Sequence, residues 1–286
     1  MELKNELLSY IKANQSHFIN ASINAGKEIK LVRKSSFKVE TKNDKSPVTL
    51  ADIKSNEIIQ KSLNLFLFKN NTIPVMSEEE QSIPYHMRKY WDYYWCIDPL
   101  DGTKEFINGR DSYTTNIGLI YKGEPIAGFV YLPEKDVIYC GIEGYPAFKI
   151  INASVEPVKL SISPNSEVKK HLNIVASLSH LNTDTENLIN CLKQSYSEVK
   201  LIQAGSSLKF CFIADGTADF YPRLAPTMEW DTAAADAVCR AAGCFVLNVD
   251  TMKPLKYNKE NLKNPGILTF GNDQIVKNLS NYYEDL

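Results

Sequence analysis

Between Thr115 and Ile151 the chain reads TNIGLIY, PIAGFVYL, DVIYCGI and PAFKI, apolar-rich runs parted only by KGE, PEK and EGY. Connections this short join antiparallel neighbours, because a parallel pair needs a crossover of a dozen or more residues. The stretch therefore predicts an antiparallel meander, and the rest of the chain must cover its faces. Upstream the period is helical. Leu3, Leu7, Leu8, Ile11, Phe18, Ile19 and Ile23 predict one long amphipathic helix, or two in succession, over residues 2–32. Another helix is predicted from Val48–Asp52 to about Phe66. From Leu172 onward LNIVAS, VKLIQ, DFYP, CFVLN and ILTFG alternate with helical stretches near 184–193, 206–214, 231–242 and 273–280. That alternation predicts an α/β half with a partly parallel sheet. The polar, proline-containing stretch 152–170 suggests a boundary, with an N-terminal α+β subdomain at 1–155 and a C-terminal α/β subdomain at 156–286.

With 286 residues, 44% of them hydrophobic, the chain can bury a substantial core. A net charge of −2 gives no global pull toward nucleic acid polymers or acidic membranes. No apolar run approaches a membrane span, and MELKNELLSYIK lacks the apolar core of a secretory signal. The expected location is the cytoplasm, free or attached peripherally to the inner face of a membrane. The six cysteines are scattered without a CxxC pair, as expected of reduced, buried thiols. Neither GxxxxGK[ST] nor GxGxxG occurs, so the usual phosphate loops are absent.

Acidic residues stand where apolar runs end: Glu78-Glu79 after PVMS, Asp98 and Asp101 in WCIDPLDGT, Asp231 in EWDTAAADAV and Asp52 in SPVTLAD. Each has an ordinary structural role open to it. DPLDG makes a turn and helix start, Asp231 an N-cap, Thr49 and Asp52 a capping box, and Ser77–Glu80 a solvated loop. Together they suggest a metal site. Hard cations such as Mg²⁺ take oxygen ligands, and carboxylates this close repel unless a cation sits between them. Pro99 can stiffen the exit from Asp98, the Leu100 carbonyl can point the same way, and Gly102-Thr103 can open a helix toward an anion. Metals beside an anion site suggest phosphate-ester hydrolysis by metal-activated water. Lys209 and Arg223 could grip a second phosphate, or could be solvated surface charges. Tyr221 could be core or could stack on a base.

SEE, DPLDGT and WDTAA, in this order and spacing, resemble the Mg²⁺-dependent inositol monophosphatase superfamily over nearly the whole chain. KSPVTLAD, SLSH, GSSLKFC, ADFYPR, KPLKYN and LKNPG are similar to the 3'(2'),5'-bisphosphate nucleotidases of the bacterial sulfate-assimilation type. The resemblance implies a layered αβαβα sandwich, and two or three Mg²⁺ ions held by Glu78, Asp98, Asp101, Asp231 and the Leu100 carbonyl. Glu78 and Thr103 would hold the nucleophilic water, Asp52 would accept its proton through Thr103, and Glu79 would support the ligands. Gly102, Thr103, His180, Ser206, Lys209, Arg223 and Asp231 would bind substrate. The implied reaction converts adenosine 3',5'-bisphosphate to AMP and phosphate, and the 3'-phosphorylated phosphosulfate (PAPS) to APS. Inositol monophosphatase or fructose-1,6-bisphosphatase activity is the alternative within the superfamily. A non-catalytic metal- or nucleotide-binding regulator is the alternative outside it. The chain is expected to act as a monomer or homodimer on a small nucleotide. The family commonly has glycine after WDTAA; here Ala235 stands there, and its methyl would trim the pocket if close approach to substrate were needed.

Overall fold

Strands Val75–Ser77, Tyr93–Asp101, Thr114–Tyr121, Glu124–Leu132, Val137–Ile142, Phe148–Ile151 and Val158–Lys159 lie side by side, in chain order, in one seven-stranded sheet. The predicted meander is its centre and is antiparallel throughout. The edge strand Val75–Ser77 instead pairs parallel to Trp95–Ile97, which brings the ends of both strands to the same side. This architecture comes from a computed structural model that describes residues 2–42, 47–81, 83–152, 154, 158–160, 170–177, 183–272 and 275.

Three helices cover one face of the sheet: Glu2–Ala13, Gln15–Lys34 and Leu50–Asn64. Leu7, Ile11, Phe18 and Ile59 from these helices share a core with Trp95, Ile117, Leu119 and Phe129 from the strands. The predicted N-terminal helix is two helices because Asn14 interrupts it. Its Nδ2 donates to the Tyr10 carbonyl at 2.8 Å, a local bond that competes with helix continuation. The third helix starts with a capping box, in which the Thr49 N–H donates to Asp52 Oδ2 at 2.8 Å and the Ala51 N–H donates to Thr49 Oγ1 at 3.1 Å.

Helix Ala233–Ala241 covers the other face, and it comes unusually close. Gly118, Gly128 and Gly141 face one another across three adjacent strands. A Cβ on Gly128 would lie 1.9 Å from the Ala234 carbonyl oxygen, and one on Gly141 would lie 2.5 Å from Val238 Cα. The glycine row and the alanines above it let backbone pack on backbone. Ala235 is fully buried in the core between the sheets and does not line the cavity described below, so its methyl does not trim that cavity. Helix Leu208–Ala214 lies beside it, and the pair forms the middle layer.

Beyond them is a five-stranded sheet in the order Glu198–Gln203, His171–Ala176, Phe220–Arg223, Ile267–Phe270, Phe245–Asn248. His171–Ala176 runs parallel to both its neighbours and the remaining pairs are antiparallel, the mixed sheet expected. Alternation divides its strands cleanly: Val175, Tyr221 and Val246 face the middle layer, whereas Ile174, Phe220 and Phe270 meet Leu188, Ile189 and Leu192 of the outer helix Thr183–Ser195. The layers are αβαβα, as the resemblance implied. The predicted helix 273–280 lies outside the described residues except for Ile275, as does most of 152–170. No helix of the described residues is long and apolar enough to cross a membrane. All six cysteines are free, and five of them are buried.

Candidate active site

The parallel pairing of Val75–Ser77 with Trp95–Ile97 sets Glu78 beside Asp98, and the helix seated on the glycine row brings up Asp231. Glu78, Asp98 and Asp231 each place a carboxylate oxygen within 4.8 Å of the others. Asp98 is 1% exposed and its Oδ1 accepts from the Leu100 N–H at 3.0 Å. Burial, reinforced by the charges of Glu78, Asp101 and Asp231, pushes Asp98 well above the usual carboxylate range. Burial and the charge of Asp101 do the same to Asp231. Burial also raises Glu78, with Lys42 opposing. Carboxylates so placed need a proton or a cation among them. An all-oxygen donor set suits a hard divalent ion, so the residues present fit the metal the sequence implied.

Asp231 is not the N-cap that its position allowed. Its Oδ2 accepts from the Met228 N–H at 2.8 Å, and Thr232 is the residue that precedes the helix. Asp101 stands beside the triad with a separate set of bonds. Its Oδ2 accepts from the Ser207 N–H at 2.6 Å, the Ser207 hydroxyl at 2.8 Å and Asn116 Nδ2 at 3.3 Å. The Leu100 carbonyl lies 3.2 Å from Thr103 Oγ1, whose single proton can go either there or to Asp52, and a carbonyl has two lone pairs, so one stays open to another partner.

Thr103 Oγ1 also lies 3.0 Å from Asp52 Oδ1, to which it can donate. The other oxygen of Asp52 accepts from the Thr49 hydroxyl at 2.6 Å as well as from its N–H. One carboxylate thus serves both proposed roles: Oδ2 caps a helix and Oδ1 faces Thr103. Burial raises Asp52 despite these bonds.

Of the Ser77–Glu80 run only Glu80 is exposed, and Glu78 and Glu79 are held inward. Lys42 Nζ reaches Glu78 Oε1 at 2.9 Å and Glu79 Oε1 at 2.8 Å, and the Glu79 side chain is only 7% exposed. Burial, opposed by Lys42 and reinforced by Glu78, raises Glu79 to about 7.

A cavity of about 140 Å³ opens next to Asp101 and Asp231, walled by Gly102, Glu105, Ser206, Lys209, Tyr221 and Arg223 among others. Lys209 is 5% exposed, donates to the Ser206 carbonyl at 2.6 Å and lies 5.5 Å from the Tyr221 ring centroid. It is not the solvated charge it could have been. Burial lowers it to about 8, with Asp101 opposing and Arg223 reinforcing. Arg223 Nε is buried and has no hydrogen-bond partner among the described residues, a cost that an anion in the cavity would relieve. Tyr221 is 2% exposed and meets Phe210 edge-on, so it is core and cavity wall at once. Ser206 holds the left-handed φ of 45° that a non-glycine residue adopts only where its surroundings enforce it. Gly102 opens helix Thr103–Ile107 at φ 95°, where any side chain would be strained. His180 lies outside the described residues.

Sequence reasoning missed Lys42, Ser207, Asn116 and Glu105. Lys42 sits in a polar stretch with nothing local to mark it. Ser207 adjoins Ser206 in GSSLKF, and only the fold shows which serine bonds Asp101.

The model of the inositol monophosphatase family matches residues 13–275. The chain belongs to the inositol monophosphatase family. It is 39% identical over 229 residues to the 3'(2'),5'-bisphosphate nucleotidase CysQ of Escherichia coli (strain K12), covering 80% of this chain and 87% of that one. To the protein of the same name from Haemophilus influenzae it is 32% identical over 248 residues, covering 86% of this chain and 88% of that one. Among solved structures, CysQ from Bacteroides thetaiotaomicron, a bacterial member of the family, superposes with a TM-score of 0.79 at 38% identity, covering 91% of this chain and 98% of that chain. The extragenic suppressor protein suhB of Bartonella henselae superposes with a TM-score of 0.71 at 21% identity, covering 93% and 96%, a likeness of fold. The family is metal-dependent, in keeping with the carboxylate triad.

Proposed function

We propose that this protein is a Mg²⁺-dependent 3'(2'),5'-bisphosphate nucleotidase. It hydrolyses the 3'-phosphate of adenosine 3',5'-bisphosphate with one water, giving AMP and phosphate, and it removes the same phosphate from PAPS to give APS. The relatives that carry this name span most of both chains. The observation that carries the reading is the pair of cations, buried Lys209 and half-buried Arg223 with its unpartnered Nε, in a cavity that opens on the acidic cluster. A substrate with two anionic groups places one at each end. Inositol monophosphate brings no second anion to that pair.

Glu78, Asp98, Asp101, Asp231 and the Leu100 carbonyl would hold two or three Mg²⁺ ions. When bound, such ions act as Lewis acids toward water and the leaving oxygen. Thr103 Oγ1 can donate its proton to Asp52 Oδ1 while accepting one from the attacking water, so the pair moves a proton away from the nucleophile. Its burial keeps Asp52 basic enough for this task. Lys209 and Arg223 grip the 5'-phosphate or phosphosulfate, Arg223 by charge-assisted bonds. Gly102, Ser206 and His180 complete the substrate contacts, and Glu79 steadies the ligand side through Lys42. On this reading residues 1–155 supply most metal ligands, residues 156–286 supply Asp231 and the nucleotide contacts, and the enzyme works in the cytoplasm. Phosphate release from adenosine 3',5'-bisphosphate, inositol 1-phosphate and fructose 1,6-bisphosphate tests it. The nucleotide should be preferred, and a clear preference for inositol 1-phosphate would overturn the assignment.

A further inference from the structure

The cavity has one acidic wall residue that neither the metal ligands nor the phosphate-binding cations account for. Glu105 lies in the first turn of helix Thr103–Ile107 and lines the cavity with Lys209 and Arg223. A glutamate in a first turn is ordinarily explained by the helix dipole. Two observations here go further. A Cβ on Gly205 would lie 2.9 Å from Glu105 Cγ and 2.5 Å from the Ser112 carbonyl oxygen, so the missing side chain at 205 makes room for the Glu105 stem. Among the described residues no group donates a hydrogen bond to the Glu105 carboxylate, whose charge favours the protonated form of Lys209 in the same cavity lining.

An unbonded carboxylate in an anion pocket weakens binding by like-charge repulsion, unless the ligand brings it a donor. On the nucleotidase reading the substrate has such donors away from its phosphates: the free sugar hydroxyl and the exocyclic amine of the base. A carboxylate accepts from either and cannot accept from a ligand that has neither. We infer that Glu105 is a specificity-determining residue that accepts a hydrogen bond from a neutral donor of the nucleoside. The cavity then selects esters that carry both a second anion, for Lys209 and Arg223, and a hydroxyl or amino group, for Glu105. Glu105 is half-buried, so a ligand that fills the cavity and brings no donor takes water from its carboxylate without replacing the bond, and is selected against.

The test compares kcat/KM of the wild type, Glu105→Ala and Glu105→Gln, all with Mg²⁺. The substrates are adenosine 3',5'-bisphosphate, its 2'-deoxy analogue and inosine 3',5'-bisphosphate. Glu105→Ala should lower kcat/KM for the adenosine substrate by about 10- to 100-fold, the usual range for a bond to a charged group. For the analogue that lacks the bonded donor the wild type should start low, and the substitution should then change it by no more than about twofold. Insensitivity with the 2'-deoxy analogue assigns the sugar hydroxyl; insensitivity with inosine assigns the amine. Glu105→Gln keeps an accepting oxygen without the charge and should recover part of the loss. An equal fall, or an equal rise, on all three substrates would overturn the inference, since a structural or purely electrostatic role acts on every substrate alike. If the wild type ignores adenosine 3',5'-bisphosphate but hydrolyses inositol 1-phosphate, the nucleotidase reading itself has failed. If it hydrolyses the nucleotide and Glu105→Ala does not discriminate, only the Glu105 inference has failed.

Discussion

At the acidic end, which meets the cavity through Asp231 and Asp101, Glu78, Asp98 and Asp231 lie within 4.8 Å of one another, and burial raises all three above their ordinary range. At the other end, Lys209 and Arg223 share a wall, and burial lowers Lys209 to about 8. Both ends hold charge against its solvation, with opposite sign. Their supports differ as well. The acidic end rests on strand ends of the large sheet and on a helix locked to it by Gly118, Gly128 and Gly141. The cationic end rests on helix Leu208–Ala214 and a strand of the second sheet. A metal-bound bisphosphate would relieve both ends together, and on the proposed reading the first carries the chemistry and the second the selection.

Asp98→Asn strikes the acidic end hardest. It removes a charge that would hold the metal, so kcat should fall by on the order of 10³-fold or more. Thermal unfolding without added metal should not weaken, because a repelling buried charge is gone. Near-normal turnover would break the division between the two ends. Thr103→Val keeps the shape and removes the hydroxyl that bonds Asp52 Oδ1, and should cost about 10²-fold in kcat with little change in KM. At the cationic end the pattern should invert. Lys209→Ala and Arg223→Ala should each raise KM for adenosine 3',5'-bisphosphate by about 10- to 100-fold while kcat holds within a few-fold. If they lower kcat instead, the ends are not separable.

The smallest effect expected is one of pH. Lys209 is charged below about 8 and neutral above it, so affinity for the second anion is full at low pH and is lost as pH rises. KM should therefore rise by up to about tenfold between pH 7 and 9. Lys209→Arg should flatten that rise, since guanidinium stays charged throughout. Progress curves at saturating Mg²⁺ across this range provide the measurement.

The two ends were not equally legible in the sequence. WCIDPLDGT, SEE and WDTAA mark the acidic end because each places its carboxylate where an apolar run stops, and the metal chemistry follows from residue type. The meander was legible too, because turns as short as KGE and PEK allow only antiparallel neighbours. What holds Asp231 in place was not. Gly118, Gly128 and Gly141 look like interruptions of three separate strands until register aligns them under Ala234 and Val238. Lys42 is one lysine in a polar stretch, and its grip on Glu78 and Glu79 exists only across the fold. Lys209 and Arg223 were equally compatible with a solvated surface, since burial at a helix face and a strand end is decided by packing rather than by local pattern.

The most direct test of the division of labour is the ratio of kcat/KM for adenosine 3',5'-bisphosphate to that for adenosine 3'-monophosphate, in the wild type and in Lys209→Ala. The scissile ester is the same in both substrates, so the ratio isolates the second anion. A wild-type ratio on the order of 10- to 100-fold that collapses toward unity in the variant is what the account predicts. A ratio left unchanged by the substitution would contradict it.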